Sequence, residues 1–209
     1  MSRVLLVGLL LLPGAGHALE AVGRALEPDT GRLLYVERHQ CQEEGRLCAV
    51  EYSDSEGVVF LRKELDYTGG PFRPEVTLQD LRDEAVEAES HSPIEGAQVY
   101  DSGFDNFVRQ SWEEMAGGEQ FKFSFGFVGM NRALTMRARE ITDDCAAEDL
   151  CLKVEPSSFL IGLFAQPIYL TYSRADRQLL RFQGMSNLRD DDGNSMQVDI
   201  RYDYPTGSS

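Results

Sequence analysis

The sequence predicts a mainly β protein of the α+β kind. It is read as a curved antiparallel sheet or half-barrel of about 8–11 strands, with one main helix (104–116) and a short second helix (158–164) packed on the concave face. Three observations carry this reading. From Gly31 onward apolar residues recur at period two between clusters of turn residues, as antiparallel strands require. The clearest 3.6-residue periodicity lies in Phe104–Ala116. Phenylalanine then occupies every second position from Phe121 to Phe127, so one face of that strand is wholly aromatic.

Residues 1–18 have the form of a secretory signal peptide. Arg3 supplies the positive start, Val4–Leu12 is the apolar run, and Pro13-Gly14-Ala15-Gly16-His17-Ala18 offers small residues for cleavage after Ala18. The run is shorter than the about 20 residues a membrane span needs, and no cysteine near the cut could carry a lipid. Residues 19–30 are expected as a loose lead-in, 31–205 as a single β-rich domain and 206–209 as a tail.

Leu33–Gln40 and Cys48–Ser53 read as a hairpin, and the turn Asp54-Ser55-Glu56-Gly57 leads into a third strand, Val58–Tyr67. Gly69-Gly70-Pro71 interrupts the pattern as far as Pro74. Thr77–Glu89 supports two readings: Thr77 with Asp80 resembles a capping box and Leu78, Leu81 and Ala85 share a helical face, yet the segment also reads as extended. The main helix opens with Ser102 and Asp105 in S-x-x-D relation, carries Phe104, Phe107, Val108, Ser111, Trp112 and Met115 along one stripe, and stops at Gly117-Gly118. In the strand that follows, Lys122, Ser124 and Gly126 face away from the phenylalanines. Further strands are expected at Ala133–Ile141, Cys151–Val154, Ile168–Tyr172, Gln178–Gln183 and Met196–Tyr204. Asp191-Asp192-Gly193-Asn194 should form the last hairpin turn, and Ser158–Phe164 a short helix ending before Pro167.

Four cysteines follow the leader, in two local pairs. Of the three possible connectivities, Cys41 with Cys48 and Cys145 with Cys151 is expected, because each pair brackets a polar turn and facing positions at a hairpin end lie at disulfide distance. Each loop closure contributes about 2.5 kcal/mol by chain entropy. Neither pair has C-x2-C spacing, and beyond the leader only His39 and His91 could assist, so no metal is expected.

Charge narrows the function classes. Lys and Arg total 20 against 35 Asp and Glu, a net −15, which leaves little to neutralise phosphates. Nucleic acid and anionic membrane surfaces are therefore disfavoured as partners, and a mean hydropathy of −0.32 argues against a polytopic membrane protein. Arg62, Lys63 and Glu64 would place charge on both faces of one strand, against a small outer-membrane barrel.

Enzyme motifs are incomplete. Asp101-Ser102-Gly103 has no second copy to complete an aspartic-protease pair. Gly184-Met185-Ser186-Asn187-Leu188 lacks the closing glycine of a nucleophile elbow. Asp190, Asp192 and Gly193 miss two positions of a calcium loop, and no P-loop or dinucleotide fingerprint is present, so no cofactor is expected. His39 shares a strand face with Tyr35 and Glu37. Such a row can do acid/base work or bind a ligand head group, but it is expected to face solvent, opposite Leu34 and Val36. Arg109 either reaches an anion across an apolar pocket or pairs with Glu113 on the surface; the surface pair is expected.

The strongest signal is apolar surface. Phe104, Phe107, Arg109 and Trp112 on the helix, Phe121, Phe123, Phe125 and Phe127 on the strand, and Tyr35 and His39 on the sheet are the candidate ligand-binding residues. The expected function is a periplasmic binding or chaperone-like protein for a lipid or other hydrophobic ligand. The alternatives are an envelope structural or interaction protein with a filled core, and a hydrolase using Glu37 and His39. The hydrolase reading requires Glu37, His39 and Arg109 to converge.

Gly103-Phe104-Asp105-Asn106-Phe107-Val108-Arg109, Trp112, Phe121-Lys122-Phe123-Ser124-Phe125, Pro167-Ile168-Tyr169-Leu170-Thr171-Tyr172 and Gly184-Met185-Ser186-Asn187 together carry a resemblance to an uncharacterised family of exported proteins of Gram-negative bacteria. The likeness covers most of the chain after the leader. It implies a periplasmic location and brings no settled activity. Separately, the apolar runs are too short for a membrane span once the leader is removed, and the filled-core alternative implies an envelope protein as partner. More distantly, long antiparallel strands with a lid helix resemble the half-barrels of periplasmic lipoprotein carriers, a likeness of fold alone.

Overall fold

A computed structural model describes residues 19–205 except 83, 84, 86, 159–165, 191 and 192. The leader, the tail and residues 159–164 of the short second helix therefore lie outside the described residues. The chain runs β1 (Leu19–Leu26), β2 (Leu33–Gln42), β3 (Leu47–Ser53), β4 (Val59–Asp66), β5 (Glu75–Asp80), β6 (Glu89–His91) and β7 (Val99–Tyr100). It continues with α1 (Gly103–Gln110), α2 (Trp112–Met115), β8 (Phe121–Gly126), β9 (Leu134–Ile141), β10 (Asp149–Pro156), β11 (Ile168–Ser173), β12 (Leu179–Arg189) and β13 (Ser195–Asp203).

The strands form one open, curved, 13-stranded sheet in the order β6-β5-β4-β3-β2-β1-β13-β12-β11-β10-β9-β8-β7. The mainly β class is as expected. The strand number is higher, and the sheet is mixed rather than wholly antiparallel because β7 runs parallel to β8. Three differences have local causes. Residues 19–30 are not simply a lead-in: β1 lies mid-sheet between β13 and β2. Its inward positions are Ala21, Gly23 and Ala25, too small to show an apolar alternation, and a Cβ at Gly23 would meet Glu37 Cγ at 2.7 Å and the Tyr202 ring at 2.9 Å. The ambiguous Thr77–Glu89 begins extended, in β5, where Val76 pairs with Leu65 and with His91. The helix over 104–116 is two pieces broken at Ser111 (φ −92°, ψ 28°), and the expected cap is not made: Ser102 Oγ donates to Asp101 Oδ1 at 2.9 Å instead.

Two apolar clusters fill the concave side, one under α1 and α2, the other between β1–β5 and β13, with Phe182 packed against both. Both local disulfides form. Cys41 and Cys48 are direct partners in the β2–β3 ladder, 4.1 Å apart at Cα, and Cys145–Cys151 ties the turn between β9 and β10. Among the described residues no helix is long and apolar enough to cross a membrane.

The curvature brings the two ends of the sheet together along a seam that no strand ladder closes. Tyr100 N donates to Phe72 O at 2.9 Å, Asn106 Nδ2 to Pro71 O at 3.0 Å, and Tyr67 OH to Ser102 O at 3.2 Å. The Phe72 ring meets Phe107 edge-on at 5.4 Å. Gly103 is required here, since a Cβ would fall 2.1 Å from the Phe72 carbonyl oxygen. Beside it, Lys63 of β4 pairs with Asp101, which precedes α1; the two side chains are only 6% and 3% exposed.

Candidate functional site

The aromatic row lies under α1 as the alternation requires. Phe104 stacks on Phe123 at 5.4 Å and meets Phe125 at 5.8 Å, and Phe107 meets Phe121 at 5.8 Å and Phe123 at 5.3 Å. Phe125 passes the row on to Phe127 at 6.1 Å. Helix and strand are thus in direct ring contact. The burial is graded: Phe107 and Phe123 are buried, Phe104, Phe121 and Phe125 are partly so, and Phe127, just past β8, is 36% exposed. Trp112 belongs to the same cluster, edge-on to Tyr172 at 6.1 Å and covered by the Arg177 guanidinium at 5.1 Å. α1 is pinned at its N-terminus by the seam, and α2 by Arg177 through Glu113 at 3.2 Å.

Arg109 does not take Glu113. It pairs with Asp105 one turn earlier, at 2.8 Å, and lies near Tyr172 and Tyr204. The charge attracting Glu113 comes from Arg177, across the sheet, which sequence spacing along the helix does not reveal. Burial and the neighbouring Asp105 push the Tyr204 hydroxyl up to about 12.

The row Tyr35, Glu37 and His39 faces inward, contrary to the expected solvent-facing row. Tyr35 and Glu37 are buried, Glu37 at 5% exposure, while His39 stands half-open at the rim. Glu37 Oε1 accepts from Tyr202 OH at 2.6 Å and lies 3.1 Å from His39 Nε2. Tyr35 OH lies 3.0 Å from Ser186 Oγ. Burial opposes charge on Glu37, yet His39, Tyr202 and the field of Lys63 outweigh it and hold the carboxyl below its ordinary value. Burial likewise works against Asp101, and Lys63 and Ser102 overcome it to lower that carboxyl too. Burial, reinforced by the Glu37 charge, raises the Tyr35, Tyr52 and Tyr202 hydroxyls.

The candidate residues thus divide. Phe104, Phe107, Trp112, Phe121, Phe123, Phe125 and Phe127 meet at α1 and β8; Tyr35 and His39 belong to the separate Glu37 cluster; Arg109 engages Asp105, and the convergence a hydrolase would need is not made. Lys63, Asp101, Tyr202 and Ser186 were missed as site residues. For Lys63 a signal existed, since Leu61, Lys63 and Leu65 alternate onto one strand face. Among the described residues no cluster of three or more His, Cys, Asp or Glu is placed to hold a metal. The chain matches no family model, no curated protein and no solved structure.

Proposed function

We propose that the chain is an exported, periplasmic binding or chaperone-like protein that takes a lipid or other hydrophobic ligand where α1 lies on the phenylalanine row. One observation carries the reading: Phe104, Phe125 and Phe127, in successive ring contact, and Phe121, joined to them through the buried Phe123, are left partly open to water. Apolar surface gains about 25 cal/mol for each Å² removed from water, so an acyl chain laid along these rings lowers the free energy of ring and ligand together. Entry beneath the rings requires α1, an element of eight residues, to shift against the buried contacts of Phe107 and Val108. Two disulfides suit the oxidising compartment to which an exported protein goes.

The test is titration with the neutral apolar fluorophore N-phenyl-1-naphthylamine. The reading expects saturable binding that weakens about 5- to 30-fold in Phe121→Ser/Phe125→Ser, from about 1–2 kcal/mol of lost contact. It expects no change in Val58→Ser, which removes an exposed apolar residue elsewhere. No binding, or equal affinity in all three proteins, overturns it. The ring contacts of α1 with β8 favour a second reading, an envelope interaction protein with a filled core, and that reading expects no binding of the probe.

A further inference from the structure

A second candidate site, a cavity, lies away from the phenylalanine row. It has a volume of about 690 Å³ and opens between the β1–β2 turn, the start of β11 and the β12–β13 pair. Its walls are more polar than apolar: the amides of Gln166, Gln183 and Gln197, the Glu27–Arg32 ion pair at 3.3 Å and the ring of Tyr169, beside Leu34 and Met196. Tyr169 sits directly opposite Gln183 in the β11–β12 ladder, so ring and amide stand side by side on one sheet face. The ring is 39% exposed. None of the three amides, nor the Tyr169 hydroxyl, engages another group among the described residues.

These features select a ligand class. Each glutamine presents two donors and a carbonyl acceptor, the complement of a surface whose hydroxyls both give and take hydrogen bonds. An exposed aromatic face offers apolar contact to the C–H face of a pyranose ring. Anions are disfavoured, because Glu27, Asp29 and Asp190 line the cavity against Arg32, which is already paired. A purely apolar guest would strand the amides without water. We infer that this cavity binds a neutral saccharide, with Tyr169 stacking on a sugar ring and Gln183 and Gln197 holding its hydroxyls. The site is independent of the hydrophobic-ligand reading and shares none of its residues.

The experiment is amide NMR of the labelled protein with neutral tetrasaccharides, maltotetraose and chitotetraose in parallel, and with inorganic phosphate as the anionic comparison. Saturable shifts at millimolar sugar, centred on residues 166–169, 183 and 197 and absent with phosphate, are expected. Tyr169→Ala and Gln183→Ala each weaken binding about tenfold, while Tyr169→Phe retains it because the ring face does the work. The side chains of both positions point away from the apolar clusters, so these variants keep the parent melting temperature. No shift with either sugar, shifts of equal size with phosphate, or unchanged affinity in Tyr169→Ala overturns the inference.

Discussion

Replacing Lys63 with methionine tests the seam that holds α1 in place. Methionine keeps the apolar stem and removes the cation, which leaves Asp101 charged and buried with only Ser102 N and Oγ as donors, at 2.8 and 2.9 Å. Because both partners are almost fully enclosed, breaking the pair costs about 3–5 kcal/mol, several times the worth of an exposed ion pair. For a chain of this length that lowers the melting temperature by roughly 6–20 °C. Adding Asp101→Asn removes the stranded charge and keeps an acceptor for Ser102. The double variant should therefore recover all but about 1–2 kcal/mol, the remainder reflecting loss of the Lys63 field at Glu37. Urea unfolding read by the fluorescence of Trp112, the single tryptophan, measures each value. A further sign separates charge burial from lost packing: the deficit of Lys63→Met shrinks on acidification, as protonation neutralises Asp101. A deficit under about 1 kcal/mol, or equal deficits in single and double variants, refutes the reasoning.

Acid should destabilise the parent protein. Glu37 and Asp101 have folded values below their ordinary 4.5 and 3.8, so their stabilisation is complete above those values and is lost as pH falls through the lowered ones; melting temperatures across that range, with Glu37→Gln showing a shallower decline, check the assignment. Reduction of both disulfides should cost about 5 kcal/mol in total, seen as a lower urea midpoint in dithiothreitol, whereas a midpoint unchanged after thiol titration confirms reduction would contradict it. Gly103→Ala should destabilise by more than about 1 kcal/mol because its methyl collides with the Phe72 carbonyl, and Gly118→Ala, which has open space but φ +77°, should cost about 1 kcal/mol through backbone strain alone.

Period-two patterning located most strands, since alternation alone decides which side chains a pleated strand can bury. It failed at β1, where glycine and alanine fill the inward positions because Glu37 and Tyr202 need the room. The aromatic row was legible for the same reason the strands were, and its contact with α1 followed from the helical stripe. The orientation of Tyr35, Glu37 and His39 was misjudged because Leu34 and Val36 are equally apolar on the opposite face. What decides it is a partner 165 residues away, Tyr202, whose hydroxyl satisfies the buried carboxylate. The Lys63–Asp101 and Arg177–Glu113 pairs are likewise products of curvature, and no local spacing encodes how far a sheet curls.

The proposed ligand site is tested most directly by a diazirine-bearing fatty acid photolysed with the native protein and mapped by peptide mass spectrometry. Adducts concentrated on 103–115 and 121–127, and suppressed by excess unlabelled fatty acid, are the predicted result. Saturable labelling confined to other segments, or none above that of the urea-unfolded chain, would contradict it.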